Sequence, residues 1–229
     1  MFTLKSEPQD KEDVLIQGCK LYSDTFWLSL PFALSTACFI FLSQLCIRAE
    51  HIAGCALCSL FALMMISSLI FRLYCYCNRI PNNFIHSIRH SLFRLIPLLV
   101  LSILYSMLVL SGTMLLIIPG IILSVSLMFV FILGIIDAQG ILQTLLNSHR
   151  LVWGNWWHTA LIISIPLMLG TIITLTSFVI AVRFFSEMPY AVFLFNAIAQ
   201  IIFIPLVFSI ALVLLNDLRL RRPLLGPQW

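Results

Sequence analysis

The chain alternates long uncharged apolar stretches with short clusters of charge, and the stretches match the roughly 20 residues that an α-helix needs to cross a bilayer. Residues 25–47 and 52–71 are two such spans, parted only by Arg48, Ala49, Glu50 and His51, so they fold back as a helical hairpin. Residues 95–136 run 42 positions without a charge. As one helix they would reach about 63 Å, twice the hydrocarbon thickness, so the segment has to turn. Pro119-Gly120 is the expected corner, because proline lacks the amide proton that a helix interior needs and glycine tolerates a reversed backbone. The third span is then 95–118 and the fourth 121–136, the latter short enough to run past Asp137 into the headgroups. Spans 159–182 and 190–216 complete the set, joined by a loop holding Arg183, Phe184, Phe185, Ser186, Glu187 and Pro189.

Two of the intervening segments have helical amphipathic periodicity. In 83–95, Phe84, Ile85, Ile88, Leu92 and Leu95 form one face, opposite Asn83, Ser87, His90, Ser91 and Arg94. In 139–153, Ile141, Leu142, Leu145, Leu146 and Val152 oppose Gln143, Thr144, Asn147, Ser148 and Arg150. A weaker version runs over 11–22. All three are expected to lie flat at the cytosolic interface. The pattern reads as an interfacial helix and a two-span hairpin, three times over, with prolines at Pro31, Pro97 and Pro166 early in each hairpin. The predicted fold is therefore all-α: a single integral membrane domain over 1–229, a polytopic helical bundle of six transmembrane helices with interfacial amphipathic helices.

Charge orients the bundle. With the N-terminus in the cytosol, Lys5, Lys11, Lys20, Arg72, Arg79, Arg89, Arg94, Arg150, Arg219, Arg221 and Arg222 lie inside and only Arg48 and Arg183 outside, as the positive-inside rule requires. Five spans would export Arg150 and the terminal arginines. Six spans put both termini in the cytosol. Composition excludes a soluble fold, since 61% of residues are hydrophobic and 10% charged, against about 25% charged in a soluble domain. The net charge of +4 is too small and scattered for a nucleic-acid footprint. Residues 1–24 lack the pattern of a cleaved signal peptide, so the first span is expected to stay as an anchor. No lipidation signature is present.

Little in the sequence points to catalysis. The span cores hold no titratable side chain of the kind that couples transport to protons. Asp137, Arg72, His158 and Asp217 fall at span ends, where solvated or snorkelling groups are expected. Asn196 and Gln200 share a face of the last span, either as contacts between helices or as the border of a polar pathway with the threonines of the fifth span. Cys55 and Cys58, with Cys46, fall near the external face, and Cys75 and Cys77 precede His86 and His90. The first group reads as small apolar residues rather than a redox pair, and the second lacks the spacing of a zinc knuckle. No metal, cofactor or catalytic residue is expected, and the motifs of nucleophile elbows, zinc proteases and phosphate loops are missing. Trp153, Trp156 and Trp157 read as an interfacial anchor belt.

The run Ile117-Ile-Pro119-Gly120-Ile-Ile-Leu, then Asp137-x-x-Gly140, then Leu145-x-x-Ser148-x-x-Leu151-x-x-Gly154-Asn155-Trp156-Trp157, resembles the YciC-type family of bacterial inner-membrane proteins. The membrane domain of some glycerophosphodiester phosphodiesterases has a similar layout. The match covers about 95–166, with a looser echo at Gly18-x-x-Leu21-Tyr22-x-x-Thr25-Phe26-Trp27. The resemblance implies a bacterial inner-membrane location and an architectural role for these residues. The phosphodiesterase catalytic domain has no counterpart here. The expected function is non-enzymatic: organisation of lipids or partner proteins at the inner leaflet, with Arg79, Arg89, Arg94, Arg150, Arg219, Arg221 and Arg222 contacting headgroups. Membrane lipids are the expected partners, other membrane proteins a second class. The alternative is a transporter, channel or accessory subunit handling an apolar or amphipathic solute.

Overall fold

The computed structural model describes residue 4 and residues 7–137, 139–184 and 191–221. Among these residues the chain forms nine helices and no strand. They are α1 (Lys11–Arg48), α2 (Ile52–Cys77), α3 (Phe84–Phe93), α4 (Leu95–Leu115), α5 (Ile117–Ser126), α6 (Val130–Ile136), α7 (Ile141–Trp153), α8 (Trp156–Phe184) and α9 (Ala191–Arg221). Six helical segments are long and apolar enough to cross a membrane, with α5 and α6 together making the fourth, Ile117–Ile136. Arg222 and most of the loop before α9 lie outside the described residues.

The corners follow from backbone chemistry. α1 has Glu12 and Asp13 in its first turn, where acidic groups favour the helix dipole, and Arg48 in its last. It ends in a Schellman turn: Glu50 takes φ 58°, and His51 N–H donates to the Cys46 carbonyl at 2.9 Å. α2 ends the same way, with Arg79 at φ 57° and Ile80 N–H bonding Cys75 at 2.9 Å.

The turn expected at Pro119-Gly120 falls earlier, at Leu116, whose extended backbone (φ −162°, ψ 147°) separates α4 from α5. Pro119 and Gly120 stand in the first turn of α5, where a missing amide proton is no loss because that turn has no acceptor for it. Gly120 serves by its size: a methyl there would lie 2.1 Å from Thr113 Cγ2, so the two arms of this hairpin touch backbone to side chain.

The separate interfacial helix expected over 11–22 is also corrected, because α1 is one unbroken 38-residue helix. Its first turns pack along α9. Val14, Gly18 and Leu21 are buried, and a methyl at Gly18 would meet Ile210 Cγ1 at 2.6 Å. Lys11, Glu12, Asp13, Lys20 and Asp24 remain exposed, the last four on the far side.

The core is concentrated at the end of the bundle where α1 begins and α9 finishes. There Val14, Leu21 and Phe32 of α1, Leu69, Ile70 and Leu73 of α2, Ile132 and Ile135 of α6, Ile162 and Ile163 of α8, and Val213, Leu214 and Leu218 of α9 form one cluster. The opposite end is splayed. Leu110, Met114, Leu115, Ile118, Met168, Ile172, Leu175 and Val179 are exposed over much of their surface. Apolar surface on this scale needs a non-aqueous surrounding.

Candidate functional site

The end where α1 begins and α9 finishes gathers Asp137, His158, Asp217, Arg219 and Arg221. Asp217, in the last turns of α9, is completely buried. Its carboxylate accepts the Gln9 backbone N–H at 2.7 Å on Oδ1, and His158 Nε2 at 3.0 Å and Arg221 Nε at 2.8 Å on Oδ2. Arg221 also donates to the Gln9 carbonyl, and the Gln9 amide donates to Gln17 at 3.1 Å. A second pair lies close to Tyr74: Arg219 donates to both oxygens of Asp137 at 2.8 and 2.7 Å.

These contacts correct the expectation that Asp137, His158 and Asp217 would be solvated or snorkelling. Removing a carboxylate from water is costly unless cationic or N–H donors replace the water, and here they do. Arg219 and Arg221 turn their guanidinium groups to these carboxylates while staying partly exposed. The Arg221–Asp217 spacing of four residues was open to inspection in the sequence; the Gln9 partner, 208 positions away, was not.

The two short amphipathic helices share one arrangement. In α3 the hydroxyl face points inward: Ser87 and Ser91 are buried, while Ile85 is 78% and Phe93 73% exposed. In α7, Thr144, Ser148 and Leu151 are buried, with Leu142, Leu146 and Trp153 outward. Ser148 has a defined task. The fourth span is interrupted at residues 127–129, where Met128 and Val130 bond to residues three positions back. The Ser126 carbonyl, freed by the interruption, accepts the Ser148 hydroxyl at 2.9 Å.

The other sequence candidates are dispersed. Gly140 and Gly154 flank α7, Gly140 with open space around it. Trp156 and Trp157 stack edge to face at 4.8 Å, Trp157 exposed and Trp156 half-buried with its indole N–H unpartnered. Asn196 and Gln200 are half-buried on α9, the Gln200 carbonyl oxygen having no partner. The threonines of the fifth span do not gather with them. Thr171 and Thr174 donate to their own helix at Met168 and Gly170, each at 2.8 Å, and Thr176 bonds Ile172 likewise.

Arg150 is exposed on α7. Arg79 and Arg89 are exposed around α3, Arg89 with its guanidinium 5.8 Å from the Phe93 ring centre, and Arg94 is half-buried. The cysteines are free thiols, Cys55 lying 3.3 Å from the Ser43 hydroxyl. Among the described residues no three His, Cys, Asp or Glu side chains gather closely enough to hold a metal ion.

Helical composition, six apolar spans and an outward apolar surface define an all-α, multi-pass membrane protein. Compared with known proteins, the chain matches no family model, no curated protein and no solved structure.

Proposed function

We propose that the chain is a non-enzymatic, multi-pass protein of a bacterial inner membrane, of the YciC type, with both termini in the cytosol, that organises lipids or partner proteins at the inner leaflet. The observation that carries this reading is the orientation of α3. Ile85, Leu92 and Phe93 are turned away from the protein while Phe84 and Ile88 pack onto it, and Arg79, Arg89 and Arg94 stand along the helix with no acidic partner among the described residues. A helix that offers greasy side chains outward and positive charge beside them suits the boundary of anionic headgroups, where each arginine contributes about 1 kcal/mol.

Neutralising Arg79, Arg89 and Arg94 together to glutamine tests it. The variant is expected to retain fewer anionic phospholipids in native mass spectrometry; unchanged retention rejects the reading. The interrupted fourth span favours a second reading, a subunit moving an apolar or amphipathic solute, because broken spans often border transport sites. Against it stand the Ser148 hydroxyl, which already fills the break, and the threonine hydroxyls, which bond their own helix.

A further inference from the structure

The elbow between α2 and α3 is built to hold polar groups in place. Arg72 Nη1 donates to the Asn82 carbonyl at 2.9 Å. The Asn82 amide donates to Ser87 at 2.8 Å, and its oxygen meets His86 Nδ1 at 3.0 Å. His90 stacks flat on Phe71, centre to centre at 3.8 Å and 8° from parallel. The next residue, Ser91, is 0% exposed.

Three groups in this elbow are buried yet have no partner: Arg72 Nε, His90 Nδ1 and the Ser91 hydroxyl, out of nine such side-chain atoms among the described residues. Residues 72–94 hold four arginines and two histidines and not one aspartate or glutamate. Arg94, on the face of α3 that carries Ser87 and Ser91, lies near enough to His90 for its charge to act there. Buried donors and uncompensated cationic charge in one place fit an anion with several acceptor oxygens, and phosphate is the common one.

We infer that this elbow binds the phosphate of an anionic phospholipid, held by Arg72, Ser91 and Arg94, with the acyl chains running along Phe93 and Ile96. The inference rests on the lipid-contacting reading above and narrows it from surface attraction to one site. A lipid is favoured over free phosphate because Phe93 and Ile96 are exposed beside the elbow on the outward face. An apolar flank adds nothing to binding a small water-soluble anion.

The test uses the full chain in neutral detergent, with thermal unfolding followed as phosphatidylglycerol, oleate or inorganic phosphate is added. Phosphatidylglycerol is expected to raise the unfolding temperature of the native chain, and oleate and inorganic phosphate to do so far less. Arg72→Gln and Ser91→Ala are expected to need about tenfold more phosphatidylglycerol for the same rise, as the loss of one hydrogen bond to a charged group predicts. Arg72→Gln also gives up the hydrogen bond to the Asn82 carbonyl, so the response of each variant is read as the rise above its own lipid-free unfolding temperature. If Arg72→Gln fails to fold, Ser91→Ala carries the test, since it deletes only an unpartnered hydroxyl.

An equal response of native chain and variants overturns the site. An equal response to oleate overturns phosphate as the recognised group, and an equal response to inorganic phosphate overturns lipid as its source. If the triple arginine variant loses anionic lipid while Arg72→Gln and Ser91→Ala respond like the native chain, surface attraction stands and the site falls. If the triple variant loses none, the underlying reading falls.

Discussion

Two polar centres lie within the packed half of the molecule and are built in opposite ways. Around Asp217 and Asp137 each carboxylate has its cation: Asp217 is met by Gln9, His158 and Arg221, and both oxygens of Asp137 by a single guanidinium nitrogen, Nη2 of Arg219. In the α2–α3 elbow the cations outnumber the anions, and Arg72, His90 and Ser91 each keep a buried polar atom without a partner. Buried charge that is fully paired holds parts of a chain together, whereas unmatched donors are costly by themselves and come into balance when something binds. The first centre therefore reads as a fastening and the second as a receptor.

The largest effect that sharpens this contrast is expected at Asp217. Asp217→Ala leaves His158 and Arg221 without their acceptor and should destabilise the protein by about 3 kcal/mol, the lower part of the usual range for breaking a buried pair, because Arg221 is 26% exposed. Denaturant or thermal unfolding in detergent measures it; a loss below about 1 kcal/mol would remove the distinction between the two centres. Ser148→Ala comes next. It strands the Ser126 carbonyl inside the broken fourth span, at a cost of about 1–3 kcal/mol, and should speed hydrogen exchange in α6.

The smallest effect is set by pH at the elbow. Burial, then Arg94 and His86, pulls the His90 pKa below its usual 6.5. The unfolded chain then takes up a proton before the folded one, so stability is full above about pH 6.5 and falls as the pH drops through that value towards the folded pKa. Unfolding midpoints from pH 7.5 to 5 should show a downward step that His90→Gln makes smaller. A step unchanged by that substitution would mean the elbow does not hold His90 as described.

Much of this architecture was legible beforehand. Charge punctuation, with helix length dividing the uncharged 95–136 stretch, located the six spans, and periodicity found α3 and α7, because these signals are local and a bilayer enforces them strictly. The corner moved from Pro119-Gly120 to Leu116 because proline suits the opening turn of a helix as well as its interruption. The supposed surface helix over 11–22 became part of α1 because α9 covers its apolar side, and the partner of a weakly amphipathic stretch is not written within that stretch. The polar centres were half visible. Asp137, Arg72, His158 and Asp217 were noticed, but hydropathy assigns a span-end charge to water by default. Only the return of residue 9 to residue 217 shows that this end is closed.

That return also orders the birth of the molecule in time. α9 is synthesised after every helix it clasps, so while the ribosome is still at work the inward flank of α1, with Val14, Gly18 and Leu21, has no cover. That flank of α1 is covered only when α9 arrives, and a nascent chain stalled before α9 exposes a bare seam to the quality-control proteases of the membrane.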